Sequence, residues 1–436
     1  MTLIAALTGV AMANAANPKH EVLDTLRSYQ LQDVQVVATR ASKKTPMAFT
    51  NITQEQIKRL NTGRDIPFLL TTMPSVVTTS DAGNGMGYTG LRIRGTDASR
   101  INVTTNGIPM NDAESSQLYW VNMGDFASSL GSIQVQRGVG TSTNGAGAFG
   151  ATVNMQTENI GLQPWAAFDL SGGSYYSHKQ TVRFSTGLMG GHWGIQGRLS
   201  NIGSKGYVDR ASAKLNSYFL QAGYFGENTV VKFITFNGVE QTYHAWDFAS
   251  KYDQEQHGRT YNPSGKMEKD AAGNPQFYKN QNDNYHQQHY QLLWNQLLGA
   301  DWNLNLALHY TKGDGYYEQY KKNQKLALYG LDAAATKAKS SLVREKWLDS
   351  YFYGAVASLN YDNKRNFSAT LGEGWNKYSN DHFGRVTWVK KPVDDFMPNH
   401  EYYNNNTKKT DYNAYLKATY EFVKGLSAFA DLQYRY

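Results

Sequence analysis

From Trp165 to Tyr436, apolar and aromatic residues recur at every second position over long stretches. Leu304, Leu306, Leu308 and Tyr310 alternate with Asn303, Asn305, Ala307 and His309, and Tyr412, Ala414, Leu416, Ala418, Tyr420 and Phe422 alternate with polar or aromatic neighbours. Such a period of two gives each strand one oily and one wet face. Strands of soluble sandwiches run to roughly 5–6 residues. Several here reach about ten or more, the ~9–11 that a tilted strand needs to cross a bilayer. Roughly eleven strands are readable, with short turns such as Val423-Lys424-Gly425 and long links over His244 to Asp283 and Asp394 to Lys408. The expected fold is membrane all-β, a transmembrane antiparallel barrel.

The preceding residues follow another rule. Thr53 and Gln56 form a capping-box pattern that predicts a short helix through Leu60, and Asp65 to Met73 predicts a second one stopped by Pro74. Leu91 to Gly95, Ile101 to Thr105 and Ile133 to Gln136 read as small strands, with a tight turn at Asn106-Gly107. Ser132 to Met155 runs from one short strand through a Gly, Ala, Ser and Thr stretch into another. Residues 46–157 are therefore expected to form a compact α/β domain ahead of a barrel over 158–436. Residues 1–16 have an apolar run ending in Ala13-Asn14-Ala15-Ala16, expected to be a signal peptide whose missing basic region places the true start further upstream. Residues 17–45 form a polar segment containing the extended run Asp33, Val34, Gln35, Val36, Val37, Ala38 and Thr39. That run can pair by its backbone with a partner's sheet edge, or serve as the first strand of the next domain.

Composition narrows the class. Mean hydropathy is −0.57, and no apolar stretch approaches the ~18 residues of a spanning helix. Thirty Tyr and nine Trp suit aromatic girdles at two membrane interfaces. The absence of Cys removes disulfide and thiolate-metal chemistry. A net charge of +7 without a basic cluster argues against nucleic acid. No phosphate loop, zinc spacing or acid, base and nucleophile constellation stands out, so no enzyme and no cofactor are expected.

The ordered blocks Leu91-Arg92-Ile93-Arg94-Gly95, Ile101 to Asp112, Ile133 to Gly138 and Gly145 to Met155 resemble the plug of TonB-dependent outer-membrane receptors. The resemblance runs from about Asp33 to the end. It implies a plug inside a barrel of about 22 strands, of which about half are present here, so the chain is expected to be a piece of a longer receptor. It also implies a gated importer in the cell outer membrane, in contact with its lipid and powered through TonB with ExbB and ExbD. Asp33 to Thr39 is similar to the TonB box, although Gln35 and Ala38 interrupt its usual Val/Thr run, and Thr104-Thr105-Asn106 departs from the family pattern in the plug.

The resemblance places Gly83 to Tyr88, Thr96 to Ser99 and Asn111 to Trp120 at the plug apex. Met86, Tyr88, Ser99, Gln117, Tyr119 and Trp120 are the expected ligand contacts, since aromatics and amides supply stacking area and orienting hydrogen bonds. Arg92, Arg94, Arg100 and Arg137 offer charge to an anionic ligand such as a ferric chelate; the favoured alternative is that Arg92, Arg94 and Arg137 pair with carboxylates on the inner barrel wall. The loop with Tyr243, His244, Trp246, His257 and Tyr261, together with His286 and His289, is a weaker candidate for iron or haem. Histidines three apart on a strand face opposite sides, and no metal site is assigned. The expected cargo is a ferric siderophore or other iron chelate. Cobalamin or glycan import, or a passive porin or adhesin, are the alternatives.

Overall fold

The computed structural model describes residues 40–41, 45–144, 149–331, 338–393 and 395–436. The expected signal segment and the run Asp33 to Thr39 lie outside the described residues.

The first unit begins with β1 (Ala48–Thr53), followed by α1 (Gln54–Leu60) and α2 (Ile66–Leu69). The Thr53 side chain accepts from the Gln56 N–H while the Gln56 side chain accepts from the Thr53 N–H, so the predicted capping box opens α1. The second helix is one turn, shorter than the predicted Asp65 to Met73, because the chain leaves helical pairing at Leu70 and turns through Met73 towards Pro74. A hairpin of β2 (Val76–Ser80) and β3 (Thr89–Ile93) follows. Next come β4 (Ile101–Thr105), β5 (Ile108–Pro109), β6 (Leu130–Arg137) and β7 (Ala151–Thr157). They form a mixed sheet in the order β1-β6-β7-β4-β5, with β4 and β7 parallel. The β4–β5 turn has positive φ at Asn106 (56°) and Gly107 (83°), the type I′ conformation that Asn-Gly favours.

Eleven consecutive antiparallel strands then build one sheet. They are β8 (Trp165–Gly173), β9 (Ser177–Ser185), β10 (Trp193–Ser204), β11 (Ala213–Phe225), β12 (Thr229–Tyr243) and β13 (Asn282–Leu298). β14 (Trp302–Lys325), β15 (Lys339–Asp362), β16 (Phe367–Val389), β17 (His400–Val423) and β18 (Leu426–Arg435) complete it. Residues 400–408 belong to β17, so the predicted link over Asp394 to Lys408 is largely strand. At one end the turns are short, as at 299–301, 363–366 and 424–425. At the other they are long, above all 244–281, which carries α3 (Lys251–His257). That asymmetry matches periplasmic turns and extracellular loops.

The strands bury polar residues and expose apolar ones. Asn303 and His309 are buried against the first unit's side, whereas Leu308 and Tyr310 face out, 42% and 39% exposed. Outward aromatics form two rows. Near the short turns, Trp302, Tyr361, Phe367 and Tyr420 follow one another at ring separations of 4.8, 6.0 and 6.4 Å. Further up, Phe233, Tyr290, Tyr310 and Tyr351 follow at 6.5, 6.1 and 6.4 Å. The eight residue steps from Trp302 to Tyr310 rise about 20 Å along the barrel axis at a tilt of ~40°. Two such rows suit the interfacial girdles of a membrane barrel, an arrangement that would leave the strand segments beyond the second row outside the bilayer. No helix among the described residues is long and apolar enough to cross a membrane.

The first unit sits against the inner face of this sheet. Its core continues into the wall, where Phe126 meets Phe236 at 4.6 Å and Phe219 at 6.3 Å. Gly238 of β12 marks the closest approach, because a Cβ there would lie 2.0 Å from the Asn122 carbonyl oxygen. Gly238→Val is expected to push the inner domain off the wall and lower its stability by about 1–3 kcal/mol. The readouts are the melting temperature and entry of a large hydrophilic antibiotic into cells carrying the full-length receptor. An unchanged melt with no added permeability would show that the contact is slack.

Candidate functional site

The strongest polar joint between plug-like domain and wall centres on Asp125, which has a left-handed backbone (φ 48°) and a fully enclosed carboxylate. Lys179 Nζ of β9 lies 2.9 Å from it. Thr181 and Ser200 hydroxyls donate to its second oxygen at 2.6 and 2.7 Å, and Asn61 and Ser128 donate to the first at 3.1 and 2.7 Å. Arg198 donates to the Asp125 carbonyl and, at 3.0 Å, to Ser217 Oγ. Burial alone would raise the Asp125 pKa. The Lys179 and Arg198 charges and the two wall hydroxyls outweigh it and hold the carboxyl well below its usual range.

A second joint lies near the extracellular end. Glu114, in the segment 111–120, accepts from Asn380 at 3.0 Å and Tyr378 at 3.1 Å and meets His382 Nε2 at 2.8 Å. Lys409 Nζ donates to the Ala113 carbonyl at 2.8 Å. Burial opposes ionisation of Glu114, and the hydrogen bonds from Asn380, Thr407 and His382 more than offset it, lowering its pKa.

The predicted plug–barrel pairs are not where the ion pairs form. Among the described residues, Arg92, Arg94 and Arg137 make no ion pair with a barrel carboxylate; Arg137 donates instead to Thr50 Oγ1 of β1 at 2.8 Å. The polarity is reversed, with the acid on the inner domain and the bases on the wall. No local pattern signals this, because Asp125 and its wall partners Lys179, Thr181, Arg198 and Ser200 are more than fifty residues apart and meet only in the fold.

The six predicted ligand contacts divide. Met86, 5% exposed, packs with Val121, Ile202 and Leu215, and Trp120, 3% exposed, lies in the main core. Neither presents its side chain to a ligand in this arrangement, because both apolar surfaces are taken up by packing. Ser99 is exposed and bonded locally to Asp97. Gln117 Nε2 donates to Tyr119 Oη at 3.3 Å, and Tyr119 is 38% exposed. Tyr88 is half-buried, donates to Asp283 of β13, and meets Trp246 of the long loop edge-on at 5.3 Å. His286 and His289 stand on opposite faces of β13; His289 is buried against Thr311 and Gln287.

The chain enters the inner domain at the short-turn end. Arg40, directly after the candidate TonB box, donates to Ser132 Oγ at 2.9 Å and to the Ser132 and Asn154 carbonyls. Gln134 clasps Ala41 from both sides, accepting from its N–H at 2.8 Å and donating to its carbonyl at 3.1 Å. These contacts clip Arg40 and Ala41 to β6 and to its neighbour β7, the middle strand of the sheet.

Two substitutions test this electrostatics. Asp125→Ala leaves Lys179 and Arg198 without their counter-charge and is expected to cost about 3–5 kcal/mol at neutral pH. Because folding depresses this pKa, the wild-type contribution is present above the ordinary carboxylate value of about 4 and is lost as pH falls through the lower folded value. Wild type and variant should therefore converge in melting temperature in acid, and a constant gap would contradict the ionic account. Asp65, buried beside Thr89, has its pKa pushed up to about 8 by burial, with the Thr89 hydrogen bond opposing. Between about pH 4 and that folded value the folded state retains a proton that the unfolded chain releases, so stability falls as pH rises. Asp65→Asn should melt above wild type at alkaline pH and level with it at about pH 4; equal melts at both would discount the buried carboxyl.

Comparison with known proteins follows this geometry. The model of the TonB-dependent Receptor Plug Domain matches residues 41–152. No curated protein matches the chain in sequence. Among solved structures, the FpvAI–pyocin S2 complex is similar at 12% identity and a TM-score of 0.67, with 91% of this chain and 53% of that one covered. BauA, the ferric preacinetobactin receptor from Acinetobacter baumannii, is similar at 13% identity and 0.65, covering 91% and 58%. The copper transporter OprC is similar at 14% identity and 0.64, covering 91% and 56%. The chain thus spans little more than half the length of these structures. Residues 41–152 are a TonB-dependent receptor plug domain, and the eleven strands that follow have the fold of the barrel wall in which such a plug is seated.

Proposed function

We propose that the chain belongs to an outer-membrane importer that takes up a scarce, bulky metal chelate, a ferric siderophore or related iron complex, using energy delivered through TonB with ExbB and ExbD. The observation that carries this reading is a folded plug held inside the wall by a polar, ionic interface around Asp125. A pore wide enough for such cargo would leak if empty, so its filling must be firmly seated and still removable. A passive porin has no use for that arrangement. The neighbours' own names, a ferric preacinetobactin receptor and a copper transporter, have metal cargo in common.

In this reading Asp33 to Thr39 pairs with TonB as an added strand, and tension reaches the plug sheet through Arg40 and the Ala41–Gln134 clasp. Tyr119, Gln117 and Tyr88 are the plug side chains proposed to meet the ligand. Ser99 remains a candidate from its exposure, while Met86 and Trp120 act as packing.

Cells carrying the full-length locus should accumulate labelled ferric siderophore, and Val36→Pro should abolish uptake while the receptor stays in the outer membrane, since proline removes a donor from the pairing strand. Uptake surviving that substitution would place the coupling segment elsewhere or make the pore passive. Accumulation of labelled cobalamin in place of iron would change the cargo and keep the mechanism.

A further inference from the structure

Above the outer aromatic row, the wall's inner face gathers positive charge. Arg344 and Lys346 of β15 are opposite Gln319 and Tyr317 of β14, and Lys321 follows on the same β14 face. The register fixes that face as the plug side. Lys346 and Ser350 share it, Ser350 is opposite Asn380, and Asn380 bonds the plug's Glu114. All three cations are half-buried, and among the described residues none makes an ion pair with a carboxylate. Arg344 donates to Gln319 Oε1 at 2.9 Å and to Tyr329 Oη at 3.2 Å. Lys346 Nζ lies 5.9 Å from the ring centres of both Tyr317 and Tyr403. Trp246 stands 6.0 Å from Tyr317, edge to face, and stacks on His244 at 3.9 Å.

Three partly desolvated like charges in one place are unfavourable without a counter-ion. The lysine pKa values register the conflict: burial first, then the Arg344 charge, lowers both Lys321 and Lys346, with the Asp247 carboxylate opposing at Lys321 alone. A folded chain that keeps such a cluster on a lumen wall, between tyrosine and tryptophan rings, has the chemistry of a site for an anion with aromatic faces. A neutral or cationic cargo would leave the repulsion offset only by Asp247, which acts on Lys321 without forming an ion pair with it.

Resting on the import reading above, we propose that Lys321, Arg344 and Lys346, walled by Tyr317, Tyr403 and Trp246, form a binding site for a multiply anionic iron chelate of the catecholate type. The cations meet the negative oxygens around the metal, and the rings stack on the catechol faces. Trp246 also touches Tyr88 of the plug, so an occupied site adjoins the plug apex.

The test is equilibrium binding to the full-length receptor in outer-membrane vesicles, with two probes: the trianionic iron(III) tris-catecholate complex and a neutral iron(III) tris-hydroxamate. The catecholate complex should bind in preference and weaken steeply with salt. Arg344→Gln and Lys346→Gln should each weaken it by roughly tenfold, whereas Lys251→Gln, which removes a charge from the exposed loop helix α3, should leave it unchanged. If either glutamine variant misfolds, the salt dependence and probe preference of the wild type decide alone. Equal or tighter binding of the neutral complex, or full affinity in both single variants, would overturn the site while leaving the import reading intact. If neither complex binds and cells take up neither, the iron-chelate reading falls with it, and uptake of labelled cobalamin decides whether the import mechanism stands.

Discussion

The Asp125 carboxylate, enclosed with Lys179 and the hydroxyls of Thr181 and Ser200, is the interaction on which the rest of this arrangement depends. A domain lodged inside a barrel needs to be specific in position without being fused to the wall. A large apolar interface would hold the domain firmly but, being non-directional, would neither fix its position nor ease its release. A buried ion pair contributes little net stability against well-packed apolar residues, yet it strongly penalises any misplacement that separates the partners. Here that orienting contact is combined with a small aromatic insertion, Phe126 between Phe219 and Phe236, and with carbonyl contacts from Arg198. The result is a seat that is strict in geometry and limited in apolar area.

The same logic explains why the wall is inside out relative to a soluble protein. Its buried face has to offer partners to a polar plug, so Gln196, Gln221, Gln288 and Asn295 are buried. Its outer face has to be apolar for lipid, so Leu292, Leu308, Leu371 and Leu416 are exposed. Backbone pairing between neighbours satisfies the N–H and C=O groups that lipid cannot. Alternation then does the work that a long apolar run does in a helical span, which is why mean hydropathy stays negative.

Much of this was legible in the residues. Long alternation is a local signal, and it gave both the strand class and a strand number in agreement with the sheet. The capping box at Thr53 and the Asn106-Gly107 turn are also local, and both formed as read. The site was far less legible. The sequence around Asp125 does not reveal that it would face Lys179 and Arg198, because the pairing is created by how the plug is docked. Charged residues in the strands and turns of the plug, Arg92, Arg94 and Arg137, looked like interface groups; the polar contacts with the wall come instead from segments such as 83–88 and 111–126, and from Asn106, Glu158 and Asn159. Met86 and Trp120 were misjudged for a related reason. Large side chains in a loop suit ligand contact and core packing equally, and only burial separates the two.

The placement of the two ends also constrains any import cycle. The candidate coupling segment joins the plug beside the short turns, through Arg40 and Ala41 on β6, whereas the Lys346–Tyr317–Trp246 group lies at the opposite end and reaches the plug at Tyr88. Tyr88 precedes β3, and β3 pairs with β2 in a hairpin separate from the five-stranded sheet that Arg40 grips. On the proposed import reading, a ligand acting through Tyr88 and a pull acting through Arg40 would load different parts of the plug. They are joined through the shared apolar core, where Leu91 and Ile93 of β3 pack with Ile133 and Val135 of β6. Communication between the ends then depends on whether that core moves as one body or yields between hairpin and sheet. Because close-packed interiors shift between discrete arrangements instead of deforming smoothly, the boundary between the β2–β3 hairpin and the main sheet is where a two-state plug would divide.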